Sequence, residues 1–259
     1  MLKALLKTTA TATNRMATYD DFAWFYNRYW NEEFHSLAWA ILERIWLPGV
    51  PPKARILDVC CGTGYLAGLL TERGYQVTGI DASSAMIEHA RNHVPAARFH
   101  VADATRFRLH GKFAAAVCTF DSLNHILSAE GLEAAFRNTA AALKPGAPFV
   151  FDMLLEGGYQ TGWAEGFTIV RDDHVLLISD SGYDFRRRVA QCTITMFRLA
   201  GNAWRRSDVQ VQERCYSHEE IDAALARANF TGTACYDARD LGMGGQLGEG
   251  RVFFVTRKE

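Results

Sequence analysis

The stretch Arg55-Ile56-Leu57-Asp58-Val59-Cys60-Cys61-Gly62-Thr63-Gly64-Tyr65-Leu66 decides the fold. An apolar run carrying an acid breaks into a Gly-x-Gly turn, after which Leu66, Leu69 and Leu70 recur at helical spacing. The pattern predicts strand, glycine turn, helix. Such a turn aims the backbone N–H groups of a helix N-terminus at a ligand, and the missing side chains at Gly62 and Gly64 let that ligand reach the main chain. A nucleoside-containing cofactor fits it. A Gly-x-Gly is common by itself, so the weight falls on what stands at fixed distances from it.

Outward from the turn, strand and helix alternate. Ile56–Cys60 predicts a first strand, Tyr65–Arg73 a helix closed by Gly74, and Gln76–Ile80 a second strand ending at Asp81. Ser83 or Ser84 is placed to cap a helix with Met86, Ile87 and Ala90 on one face. Ala97–Val101 leads to Asp103; Phe113–Phe120 is a fourth strand, Glu130–Leu143 a helix, and Pro148–Met153 a fifth strand after Lys144-Pro145-Gly146. This rhythm implies a doubly wound α/β fold, a mostly parallel sheet with helices on both faces and ligands at the strands' carboxyl ends.

The rhythm changes near residue 157. Phe167–Val170, Val175–Ser179, Arg188–Leu199 and Trp204–Cys215 read as extended segments joined by Asp-Asp, Asp-Ser-Gly and Ala-Gly-Asn turns, an antiparallel insert over 157–214. Arg186-Arg187-Arg188 and Arg205-Arg206 beside these turns read as solvated edge charge, with an anionic-substrate site as the alternative. Ser217-His218-Glu219-Glu220 opens a helix as a capping box, and Phe230–Tyr236 and Arg251–Arg257 return as the last two of seven main-sheet strands, so the core spans 51–156 and 215–259. At the other end, residues 19–50 carry Tyr19, Phe22, Trp24, Phe25, Tyr26, Tyr29, Trp30, Phe34 and Trp39, with Asp20 and Asp21 placed to start a helix. These aromatics read as core or as a helical lid over the cofactor. Residues 1–18 read as a frayed extension, with Met16 as an alternative start.

Composition narrows the partners. The 259 residues are 49% hydrophobic and 22% charged with a net charge of −1, so nothing draws the chain as a whole to nucleic acid or an anionic membrane. No apolar run approaches the roughly 20 residues that span a bilayer. Cys60, Cys61, Cys118, Cys192, Cys215 and Cys235 form no C-x-x-C pair, which points to reduced thiols in a cytoplasmic protein with no metal.

Three acids, Asp58, Asp81 and Asp103, each close a predicted strand, and the three strand ends are expected along one sheet edge. Asp81 stands 19 residues after Gly62, near the ~20 expected of an acid that takes ribose hydroxyls. Capping the next helix is the alternative for each. A nicotinamide dehydrogenase also uses an acid there, and Ala67 with Gly68 behind it leaves that fingerprint open. Asp58 weighs against it: an acid before the turn repels a pyrophosphate and suits an ammonium and a sulfonium.

Asp58-Val59-Cys60-Cys61-Gly62-Thr63-Gly64, Asp81, Asp103-Ala104 and Leu143-Lys144-Pro145-Gly146 together resemble the class I S-adenosylmethionine-dependent methyltransferases, although Cys60 stands where that family more often has Gly or Ala. Tyr19, Tyr26, Asp121-Ser122-Leu123-Asn124-His125-Ile126-Leu127, the insert, Cys215-Tyr216-Ser217 and Gly250-Arg251-Val252-Phe253-Phe254 are similar to the amino-sugar N,N-dimethyltransferase subgroup. The resemblance implies S-adenosylmethionine as cofactor and methyl transfer to N or O of a small-molecule acceptor. It implies that Asp58 and the Gly62–Gly64 backbone hold the methionyl end, Asp81 the ribose, and Asp103 with Ala104 the adenine, with Cys60, Thr63, Ala82, Met86 and Phe120 completing the wall. Tyr19 and Tyr26 close the site from the lid, and Tyr19 and His125 are the catalytic candidates, His125 matching a histidine near the acceptor. A homodimer contact through the insert is expected. In the subgroup an arginine stands between two glycines near the C-terminus; here Gly248-Glu249-Gly250 precedes Arg251, which makes a nucleotide-sugar acceptor doubtful. An oxidoreductase using NAD(P) and a non-catalytic cofactor-binding module are the other readings.

Overall fold

A computed structural model describes residues 19–161 and 166–259. The expectation for residues 1–18 lies outside the described residues. Five strands come first, β1 (Arg55–Val59), β2 (Gln76–Asp81), β3 (Arg98–Val101), β4 (Ala115–Cys118) and β5 (Pro148–Leu154). Then come β6 (Thr168–Val170), β7 (His174–Asp184), β8 (Val189–Ala200) and β9 (Ala203–Arg214), and last β10 (Phe230–Asp237) and β11 (Arg251–Lys258). The helices that matter below are α1 (Ala23–Tyr29), α2 (Asn31–Ile45), α3 (Tyr65–Glu72), α4 (Ser84–His93), α5 (Ala129–Ala142), α6 (Glu156–Thr161) and α7 (His218–Arg227).

The main sheet has the order β3-β2-β1-β4-β5-β11-β10. Strands β1 to β5 run parallel, and β11 is antiparallel to both β5 and β10. β1 pairs with β2 on one side and β4 on the other, so the direction of winding reverses there and a crevice opens at the carboxyl ends. β4 and β5 are buried along their whole length, as central strands covered on both faces must be. Alternation sorts their side chains. Leu57, Val59, Phe149 and Phe151 pack against Phe136 of α5 and Ile221 of α7, while Ile56, Val117 and Val150 pack against Leu42 of α2, Leu70 of α3 and Ile87 of α4.

The helix starts expected from sequence are built as read. Ser83 Oγ accepts from Met86 N–H, and Ser217 with Glu220 forms the reciprocal capping box. Five expectations change. Asp20 does not start its own helix; it serves α4, as described below. The fourth strand is shorter than Phe113–Phe120 because Phe113 makes only an isolated bridge to Leu143 and Phe120 turns into the left-handed region at φ 63°. Asp58 lies inside β1 instead of at its end, and Asp103 lies beyond β3.

Asp180-Ser181-Gly182 is not a turn. β7 runs through it with a bulge, Asp180 taking φ 51°, and Gly182 still pairs with Gln191. The insert is a four-stranded antiparallel sheet, β6-β7-β8-β9. Its apolar face, Leu176, Ile194, Met196, Val209 and Val211, packs on Phe22 and Phe25 of the lid. The lid aromatics are therefore core and cover at once. Of the basic clusters, Arg188 pairs with Glu220 and Arg206 with Asp208, which spends those charges locally.

Candidate active site

The glycine turn is held in left-handed backbone that Gly62 and Gly64 adopt without strain and Cys60 adopts at a cost. Cys60, Gly62 and Gly64 have φ of 58°, 52° and 83°, and Cys61 N–H donates to the Ile80 carbonyl at 2.9 Å, which ties the turn to β2. A Cβ on Gly64 would stand 3.0 Å from that of Ala90, and one on Gly62 would touch the Tyr26 ring at 3.6 Å. At Gly64 the backbone and α4 pack so closely that α4 would have to give way to admit a side chain, whereas at Gly62 the left-handed backbone alone favours glycine.

The three predicted acids differ in what their carboxyl groups meet. Asp58 is 2% exposed, and its Oδ2 has no hydrogen-bond partner among the described residues. Burial, and then the charge of Asp81, push its carboxyl up to about 8. Asp81 accepts from Gly62 N–H at 3.0 Å and from Ser83 N–H at 2.9 Å, yet burial still raises it above the ordinary carboxyl value. Each of its oxygens keeps a lone pair for a hydroxyl. Asp103 Oδ1 takes the N–H and Oγ1–H of Thr105, both at 2.8 Å. A buried carboxyl oxygen with nothing bonded to it calls for a donor, and an ammonium group supplies one together with the missing charge. The residues present therefore fit a cofactor carrying an ammonium and a ribose.

The remaining predicted cofactor residues divide. Met86 in the first turn of α4 and Ala104 are buried, and Ala82 and Cys60 are half-buried beside the turn. Thr63 is committed elsewhere, since its hydroxyl donates to Asn31 Oδ1 of α2 at 2.8 Å and its carbonyl oxygen lies 3.0 Å from His93 Nδ1. It fastens the turn to the lid. The lid is fastened a second time by Asp20, whose carboxylate accepts from Ser83 Oγ at 2.5 Å, Ser84 Oγ at 3.1 Å and Ala85 N–H at 3.1 Å. These bonds outweigh partial burial and hold Asp20 below the usual carboxylate range.

Across Tyr26 lies a cavity of about 290 Å³ between the crevice, the lid and the insert. Phe120 and Asp121 enter it on consecutive left-handed residues, φ 63° and 48°. Asp152 holds both in place, taking Phe120 N–H at 2.7 Å and Asp121 N–H at 3.0 Å. Arg251 then bonds Asp152 and reaches Asp121 at 3.3 Å, with its guanidinium carbon 4.8 Å from the Phe34 ring centre. Phe34 and Phe120 stack at 4.1 Å. The arginine that sequence placed out of register is thus the buried pin of the Phe120–Asp121 turn.

Tyr19 and His125, named separately as catalytic candidates, meet. His125 Nδ1 is 3.2 Å from the Gln212 carbonyl, which can only accept, so Nδ1 carries the proton and Nε2 faces the Tyr19 hydroxyl at 2.8 Å. Glu213 Oε1 stands 3.5 Å from the same Nε2, while its Oε2 accepts from Tyr159 at 2.9 Å. Burial and the nearby Asp121 charge raise the Glu213 carboxyl well above its ordinary value, and burial raises Tyr19. Glu213 and Asp152 had no place in the sequence reading. The signal was there in each case: an acid in phase with Val209 and Val211 on the buried face of β9, and an acid within the wholly buried β5. No group of three His, Cys, Asp or Glu side chains among the described residues is placed to hold a metal.

Residues 56–146 match the family model described as Methyltransferase domain. The chain is 33% identical over 123 residues to the dTDP-3-amino-3,4,6-trideoxy-alpha-D-glucopyranose N,N-dimethyltransferase of Streptomyces venezuelae, a match covering 47% of this chain and 52% of that one. The match thus spans about half of that enzyme. A S-adenosylmethionine-dependent methyltransferase from Clostridium acetobutylicum ATCC 824 superposes with a TM-score of 0.75 at 21% identity, covering 93% of this chain and 98% of the other. S-adenosylmethionine-bound CalS10, an amino pentose methyltransferase from Micromonospora echinaspora, superposes at 0.70 with 25% identity, covering 92% and 96%. By its sheet order, its glycine turn and these matches, the chain carries a methyltransferase domain over residues 56–146 and has the fold of the S-adenosylmethionine-dependent methyltransferases it is similar to.

Proposed function

We propose that this chain moves a methyl group from S-adenosylmethionine to N or O of a small-molecule acceptor. One observation carries the reading: Tyr26 covers Gly62 of the cofactor turn and also lines the 290 Å³ cavity that holds Tyr19 and His125, so donor and acceptor sites share a wall. When bound, the cofactor supplies an electrophilic methyl group on a sulfonium and leaves as a neutral thioether. Asp58 would take the ammonium of its methionyl end, Asp81 the ribose hydroxyls, and Asp103 with Ala104 the adenine. The lid and insert exclude water, and positioning in a closed site supplies about 7–11 kcal/mol of the barrier. The Tyr19 hydroxyl donates to His125 Nε2 in the resting site and orients the ring; when it turns its O–H away, the freed Nε2 lone pair takes the proton that the acceptor gives up and the new N–H bonds the Tyr19 oxygen. The relatives named as amino-sugar dimethyltransferases support an amine as one acceptor class; an oxygen acceptor is chemically served by the same histidine. A cytoplasmic location belongs to the same reading, supported by six free cysteines and by the lack of any membrane-spanning helix among the described residues. The test is twofold. Calorimetry with S-adenosylhomocysteine should show binding that Asp81→Ala abolishes, and a labelled-methyl assay over amines, phenols and carboxylates should find an acceptor. Unchanged affinity in Asp81→Ala, or transfer to no acceptor, would overturn it.

A further inference from the structure

The acceptor cavity has an electrical and a steric character that the glycine turn does not predict. One wall is apolar, built from Phe22, Trp30, Phe167, Ile178, Ile194 and Val211. The same lining carries two carboxyl groups, Asp121 and Glu213, 8% and 4% exposed, Glu213 two residues beyond Val211 on the same face of β9. Among the described residues of the lining, the one guanidinium is Arg251, and it is already engaged. It bonds Asp152 and Asp121, donates from Nε to the Leu247 carbonyl at 2.7 Å, and lies over the Phe34 and Phe120 rings.

Glu213 differs from Asp121 in what faces it. Tyr159 donates to one oxygen, and the other points toward His125 Nε2 at 3.5 Å, with Asp121 and Asp152 adding negative charge and Arg251 offsetting part of it. The neighbouring Arg214 cannot help, because strand alternation sends it outward to Glu220 at 2.6 Å. Burial and these like charges leave the carboxyl short of one positive partner.

We propose that Glu213 is the specificity residue of the acceptor cavity, which takes a compact amine with an apolar body, bound as its ammonium, and rejects acceptors carrying a diphosphate. The assignment rests on the methyl-transfer reading above. An ammonium within reach of Glu213 replaces the missing charge, and the proton it must lose has His125 Nε2 as its destination, 3.5 Å from that carboxyl. The apolar wall takes the body. At about 290 Å³ the cavity sits at the small end of ligand sites, which run from about 300 Å³ upward. A diphosphate would set its charges against Asp121 and Glu213 with no spare guanidinium beside them.

The experiment compares binding of 2-phenylethylamine, its neutral isostere 2-phenylethanol and a dTDP-amino sugar by calorimetry, with and without saturating S-adenosylhomocysteine. The amine is expected to bind about ten-fold or more tighter than the alcohol, with the nucleotide-linked sugar weakest. Glu213→Gln is expected to erase the amine's advantage while leaving S-adenosylhomocysteine affinity unchanged. Equal affinity for amine and alcohol in the wild-type protein, tighter binding of the dTDP-amino sugar, or a Glu213→Gln variant that keeps the preference would each overturn it. The wild-type comparison decides the matter even where the variant does not fold. Absence of S-adenosylhomocysteine binding would sink the methyl-transfer reading instead, and the amine–alcohol ratio measured without it still judges the cavity.

Discussion

Replacing Asp58 by Asn should make the ligand-free protein more stable and stop it binding its cofactor. The reasoning starts from proton counts. The folded chain holds the Asp58 proton up to about pH 8, whereas the unfolded chain releases it near 3.8. A raised carboxyl contributes stability that is fully present below the unfolded value and is lost as pH rises through the folded one. Across that window the loss amounts to roughly 5–6 kcal/mol at about 1.36 kcal/mol per pH unit. Asp58 is 2% exposed, so solvent relieves little of it. Asn has the same shape and no charge to desolvate. Recovering even half of the loss, about 3 kcal/mol, should raise the thermal midpoint by roughly 6–12 °C in a chain of this size. The assay is thermal unfolding of wild type and Asp58→Asn from pH 5 to 9, with and without S-adenosylhomocysteine. Without ligand, the two midpoints should draw together toward pH 5, where only about 1–2 kcal/mol of the loss has been incurred, and separate up to about pH 8 in favour of Asn, with the gap flat beyond. With ligand, only the wild type should shift upward, because its carboxylate then has an ammonium partner. Asp152 and Glu213 are common to both proteins and cancel in the difference, whereas the repulsion between Asp58 and Asp81 is part of what the Asn variant relieves. Parallel midpoints across the pH range would show that Asp58 is not the uncompensated acid described here. A ligand-induced shift retained in the Asn variant would remove it from the cofactor site.

Three other outcomes follow from the same geometry. Gly64→Ala should cost about 2–4 kcal/mol in denaturant unfolding, since it combines a left-handed residue with a Cβ 3.0 Å from Ala90; a cost under ~1 kcal/mol would mean the turn has other ways to pack. Arg251→Met should cost about 3–5 kcal/mol by leaving Asp152 and Asp121 buried without their cation, and the Arg251→Met, Asp152→Asn double variant should recover part of that, which equilibrium unfolding of both proteins would test. His125→Ala should lower turnover by about 10²-fold or more with S-adenosylhomocysteine affinity intact, and wild-type turnover would make the ring a structural hydrogen-bonding partner only.

Legibility in the sequence tracked the range of the interactions involved. Strand and helix positions followed from local periodicity and caps, so β1, β2 and α4 stand where Ile56, Gln76 and Ser83 placed them, and the capping box at Ser217 formed as read. Misreadings arose where a distant partner overrode a local preference. Asp20 looks like a helix starter, but its best donors are Ser83, Ser84 and Ala85 on α4. Asp180-Ser181-Gly182 looks like a turn, but the long pairing with β8 carries the strand through it as a bulge.

The cofactor half was legible in the opening stretch at 55–66 together with Asp81 and Asp103 at set distances beyond it, because a glycine turn and acids at or near successive strand ends are local features that follow one another along the chain. The acceptor half belongs to tertiary structure. Tyr19, His125, Asp152, Glu213 and Arg251 come from the lid, the segment after β4, β5, the insert and the last strand, and no spacing within the chain relates them. Their meaning arises from burial: an acid in a strand is an ordinary polar position until a lid and a sheet close over it and remove the water that would have solvated its charge.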